Sequence, residues 1–167
     1  MRLLGLDPGL RMTGWGVIDT DGHRLVWVAD GTVKSDDALS LSDRLAQLHR
    51  GVIEVIARFQ PDEAAAEETF VNRNPSSTLK LGQARGAVLA AVGVSGLPLS
   101  EYAPLLVKKS VVGSGQAAKQ QVGMMMRQLL PACQIATEDA ADALAVAVCH
   151  AHHRAHAGLL RKIAGAR

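Results

Sequence analysis

The chain has 167 residues, 48% of them hydrophobic and 20% charged, with a net charge of +2. A chain this long suits one domain that buries roughly 70% of its unfolded surface, so it needs no staples. No apolar run reaches ~18 residues and no apolar signal region opens the chain, so a cytoplasmic protein is expected, neither secreted nor membrane-spanning.

The first expected elements are three strands, Arg2–Leu6, Thr13–Ile18 and Leu25–Val33. Asp7-Pro8-Gly9 stops the first, and Asp19-Thr20-Asp21-Gly22 is a hairpin signal between the second and third. Gly14 and Gly16 mark a close approach of backbone or ligand within the second. Leu41, Leu45, Leu48, Val52, Val55, Ile56 and Phe59 then recur at helical spacing, with Ser40 as N-cap and Pro61 past the end. Ala64–Glu68 reads as a fourth strand and Val71–Thr78 as loop. A helix is expected from about Ser77 to Val92, turning Leu79, Ala84, Ala87, Val88 and Ala91 inward.

Leu97–Tyr102 is the fifth strand, and Lys108–Gly115 a strand end or loop. Ala117–Leu130 is helical up to Pro131, with Met124, Met125 and Met126 in the core or a subunit interface. Thr137 caps a last helix from Glu138 to about His156, where His150, His152, His153 and His156 read as a solvated histidine-rich end. The expectation is a single α/β domain over 1–167, one mixed five-stranded sheet flanked by helices, with about 157–167 a mobile basic tail. Cys133 and Cys149 form neither a disulfide framework nor a zinc pattern and are read as reduced thiols.

Carboxylates at the ends of two strands and the start of the last helix carry the chemistry. Asp7 ends the first strand, and Glu67 and Glu68 end the fourth. Asp139 and Asp142, three apart, share a face of the last helix. Clustered in an apolar framework, such acids repel one another unless a cation sits among them. Oxygen-only ligands suit magnesium or manganese, and two ions ~3.5–4 Å apart serve phosphoryl transfer.

Charge is distributed to match. Residues 1–68 hold 7 Lys/Arg and 12 Asp/Glu, whereas residues 69–167 hold 11 and 4. A basic surface around a carboxylate cluster suits a polyanion. Lys108, Lys109 and Lys119 flank Gly113-Ser114-Gly115, a loop whose amides and lysines suit a phosphate backbone better than a dinucleotide. Phe70, one of few aromatics and three residues past Glu67, suits stacking on or wedging between bases.

These residues resemble a known family. Leu4-Gly-Leu-Asp-Pro-Gly9 with Thr13-Gly-Trp-Gly-Val17 is similar to the opening of the RuvC crossover junction endodeoxyribonucleases. The stretches 74–86, 107–122 and 138–145 resemble three further segments of that family in the same order. The resemblance implies a ribonuclease H-like fold and a homodimer that makes paired nicks in a four-way (Holliday) junction in recombination and repair. It also implies 5′-phosphate and 3′-hydroxyl ends and a RuvA–RuvB branch-migration complex as partner. By position, Asp7, Glu67, Asp139 and Asp142 would hold Mg2+, two ions per site, with Mn2+ as a substitute. Lys108 and Lys119 match lysines near the scissile phosphate. Phe70 matches an aromatic at the junction centre, and Arg73, Asn74, Ser76, Lys80, Arg85 and Lys109 are the expected further DNA contacts. Three other readings compete: a non-catalytic branched-DNA-binding module, an actin-like or sugar-kinase ATPase whose fold also opens with Asp and Gly after a strand, and a related nuclease that cuts another branched DNA or an RNA.

Overall fold

The computed structural model describes residues 1–21, 24–68, 74–114, 119–135 and 137–164; of Lys119 and residues 157–164 only the backbone is described. The hairpin turn at Gly22, the loop residues Phe70 and Arg73, and the segment 115–118 lie outside them. The elements run β1 (Arg2–Asp7), β2 (Met12–Thr20), β3 (Leu25–Lys34), α1 (Leu41–Phe59), β4 (Glu63–Glu67) and α2 (Pro75–Val94). Then come β5 (Leu99–Tyr102), α3 (Pro104–Val112), α4 (Lys119–Leu129) and α5 (Glu138–Ala164).

The sheet has five strands in the order β3-β2-β1-β4-β5. β1, β2 and β3 form an antiparallel meander, while β4 and β5 run parallel to β1. This is the expected mixed sheet. The parallel pairs need crossovers, and α1 and α2 supply them.

Strand alternation sorts two cores onto two faces. Leu4, Leu6, Val17, Ala64 and Ala66 meet Val52, Val55 and Ile56 of α1 and Val88, Ala91 and Val92 of α2. Leu3, Ile18 and Ala65 meet α5 through Leu144, Ala147 and Val148, with α3 and α4 outside it. α1 spans the expected residues, capped by Ser40, whose side chain accepts from the Asp43 amide. Gln60 closes it in the left-handed conformation and donates to the Ile56 carbonyl.

Three elements depart from the sequence reading. α2 starts at Pro75, not Ser77, because the Asn74 side chain accepts from the Ser76 and Ser77 amides and proline fits the first helical position. Its first turn stands clear of the core, so Leu79 is 64% exposed instead of buried. Lys108–Val112 is helical, not strand or loop. Pro104 opens α3, Val107 and Val111 bury one turn apart, and Gly113 closes it at φ 80°. α5 runs on to Ala164, past the expected end at His156.

The methionines separate by helix geometry: Met126 is fully buried, Met125 partly, and Met124 exposed. Both cysteines are free, and burial pushes each thiol up. Among the described residues, no helix is long and apolar enough to cross a membrane.

Candidate active site

Two neighbouring parallel strands end side by side at one edge of the sheet. Leu6 of β1 is in register with Ala66 of β4, so Asp7 and Glu67, each one residue further on, close the two strands together. Both side chains face α5. A β-carbon at Gly5 would collide with the Ala143 carbonyl of α5, and Asp7, two residues on, points to the same face. Ala65 packs with α5 and Glu63 binds it, so Glu67, in phase with both, also faces it. Glu68 is exposed, and its amide donates to the Tyr102 carbonyl.

Glycine decides how closely α5 descends. Gly14 is the register partner of Asp7. A β-carbon there would collide with the Asp139 carbonyl oxygen and lie 2.5 Å from its carbon. At Gly16 it would lie 2.7 Å from the Leu144 side chain. The small residues of α5, among them Ala140, Ala143 and Ala147, complete the fit. The start of α5 therefore rests on β2 beside Asp7. Thr137 caps it, its hydroxyl accepting from the Ala140 amide at 3.1 Å.

Asp139, three residues ahead of Asp142, overlies the strand. Asp142 lines a cleft toward α4 with Gln120, Arg127, Thr137 and Glu138. Asp7, Glu67, Asp139 and Asp142 are all half-buried. Among the described residues, no three His, Cys, Asp or Glu side chains are gathered close enough to share an ion. The donor set is oxygen-only at this end, which suits a hard cation.

The expected DNA contacts do not all meet this centre. Lys108 is half-buried and Lys109 exposed on α3. That helix begins two residues after Tyr102, the register partner of Glu67. Ser76 and Lys80 are exposed on the first turns of α2, and Asn74 is engaged as its N-cap. Arg85 is not a free cation. It pairs with Glu101, and its Nε donates to the Glu67 carbonyl at 3.4 Å, so it props the strand end. Phe70 and Arg73 lie outside the described residues, as does the side chain of Lys119.

His150 corrects the solvated-histidine reading. His152, His153 and His156 are exposed, but His150 is 3% exposed. Its Nε2 donates to Glu63 at 2.9 Å and its Nδ1 accepts from the Tyr102 hydroxyl at 2.8 Å. Arg154 also pairs with Glu63. The sequence did carry a signal. His150 is eleven positions after Asp139, about 20° away around the helix, hence on the sheet-facing stripe.

Burial pushes the His150 imidazole below its ordinary value of 6.5, partly offset by Glu63. The fold therefore holds it neutral. As pH falls through 6.5, the unfolded chain takes a proton that the fold refuses, so stability drops until the folded value is passed. The urea midpoint should fall between about pH 7.5 and about pH 5.5. His150→Gln should flatten that dependence, and an equal fall in the variant would show that other groups cause it.

Comparison with known proteins places this geometry among relatives. The family model described as "Crossover junction endodeoxyribonuclease RuvC" matches residues 3–150. The chain is 66% identical over 157 residues to a protein of that description from Rhodospirillum rubrum, covering 94% of this chain and 93% of the relative. It is 64% identical over 166 residues to one from Paramagnetospirillum magneticum, covering 99% and 98%. Among solved structures, "T. thermophilus RuvC in complex with Holliday junction substrate" superposes with a TM-score of 0.87 at 34% identity, covering 94% of this chain and 96% of that one.

Proposed function

The chain belongs to the RuvC family of crossover junction endodeoxyribonucleases, and from that premise we propose that it resolves four-way DNA junctions by paired nicks. The observation that carries the reading is the convergence of Asp7 and Glu67, on adjacent parallel strand ends, beneath the helix start that bears Asp139. The basic character of residues 69–167 supplies the surface a DNA backbone needs.

Asp7, Glu67, Asp139 and Asp142 would hold two magnesium ions, with manganese as a substitute. When bound, the ions supply Lewis acidity and positive charge beside the scissile phosphate. The chain's own residues do the rest. The carboxylates fix where that charge sits, because β1, β4 and α5 are rigidly packed at this end. Arg85 holds the Glu67 backbone in place. Lys108 and Lys119 would offset charge that grows on the phosphoryl oxygens during in-line attack by water. The products would carry 5′-phosphate and 3′-hydroxyl ends. Phe70 would meet unstacked bases near the junction centre. Two copies of the chain would act on opposing strands, in the cytoplasm, alongside a RuvA–RuvB branch-migration complex.

The test is a mobile synthetic four-way junction incubated with the full chain, with and without magnesium. Symmetric nicks that need the divalent ion are expected. Binding without any nicking, over a range of magnesium and manganese concentrations, would leave a non-catalytic junction-binding module and reject the hydrolase.

A further inference from the structure

We infer that the cleft between α4 and the start of α5 seats a DNA phosphate flanking the scissile one, with Arg127 as its charged contact. This rests on the nuclease reading and extends it to a residue outside the family-matched contacts. The cleft is about 330 Å3, and Gln120, Gly123, Arg127, Thr137 and Asp142 line it. It therefore shares a wall with the carboxylate centre. Gln120, Gly123 and Arg127 stand at i, i+3 and i+7 on one face of α4.

Arg127 is exposed and held by little. Its one described hydrogen bond is a 3.5 Å contact to the Gly123 carbonyl, one turn back. Among the described residues it makes no ion pair, although Glu138 and Asp142 line the same cleft. Gly123 keeps the floor open: a β-carbon there would meet only the Arg127 guanidinium, at 3.9 Å. A guanidinium beside an open polar cleft offers the planar donor fork that phosphate oxygens match.

The acids do not close the site to an anion. Asp142 is assigned to the cation, and Glu138 is exposed at the rim.

The experiment uses the full chain and an immobile four-way junction in a salt series without divalent ions. For Arg127→Ala the slope of log affinity against log salt should flatten by about 0.9 per protomer, one phosphate contact. Affinity at moderate salt should fall about three- to tenfold, and Arg127→Lys should recover most of the slope. In magnesium, at subsaturating protein, the nicking rate of Arg127→Ala should fall about as far as its affinity does, and Arg127→Lys should recover most of it. An unchanged slope in both Arg127→Ala and Arg127→Gln, each shown to be folded by its thermal midpoint, would overturn the inference. Failure of the parent reading looks different: the wild-type chain would then not nick in magnesium, whatever the slopes.

Discussion

Asp7→Asn should lower the nicking rate by roughly 10³-fold or more, about 4 kcal/mol of lost transition-state stabilisation. Its binding to an uncut junction should be at or above the wild-type level. The substitution is nearly isosteric, so β1 and its pairing with Gly14 and β4 should survive. What it removes is one full negative charge from a set of oxygen donors, and an amide oxygen is a much weaker partner for a divalent cation. Junction binding rests instead on the basic half of the chain. Losing an acid at the carboxylate centre relieves repulsion of phosphate. Single-turnover nicking at saturating protein measures the first quantity, and a gel shift without divalent ions the second. Cleavage by Asp7→Asn at the wild-type rate would remove Asp7 from the machinery.

Gly14→Ala should also slow cleavage strongly, by a different route. Its β-carbon would have to occupy space held by the Asp139 carbonyl, 2.5 Å from that carbon. The obstacle is backbone, so no side chain can rotate out of the way. Either β2 bends or the first turn of α5 lifts. Overpacking of this kind costs about 3 kcal/mol, read as a lower urea midpoint. Lifting the turn also displaces Asp139 relative to Asp7, and about 1 Å of misplacement costs roughly 10²-fold in rate. The fraction that remains folded should therefore nick far more slowly than its abundance predicts. Gly93→Ala is the contrast for stability. A β-carbon there meets nothing within 4 Å, and alanine is the better helix former by up to about 1 kcal/mol. A Gly14→Ala protein of normal stability and rate would show that α5 does not depend on this glycine for its seat.

Local signals in the chain were sufficient for much of the architecture. The meander, the Ser40 cap, the 41–59 helix and the Thr137 cap follow from alternation, 3.6-residue periodicity and capping chemistry. Those effects act over a few residues, so they can be read from a few residues. α3 carried its signal too, proline at the first position and glycine just past the end. There the lysine- and glycine-rich composition reads as a strand end or loop, and only burial of Val107 and Val111 against α5 decides for helix. Arg85 and Leu79 show the opposite limit. Nothing adjacent to Arg85 announces that Glu101 and the Glu67 carbonyl will claim its guanidinium, and periodicity alone turned Leu79 inward.

Four acids, their order and their oxygen-only chemistry belong to the sequence by itself, as do the basic second part and the glycines that permit close packing. Which strand ends and helix start lie side by side was settled only in three dimensions. Parallel pairing of β1 with β4 sets Asp7 beside Glu67, and the missing side chain at Gly14 lets Asp139 settle over them. The buried Glu63–His150–Tyr102 contact and the Arg127 cleft are of the same kind. Each joins residues on separate elements, and contact between distant segments depends on how whole layers pack, which no short window of sequence contains.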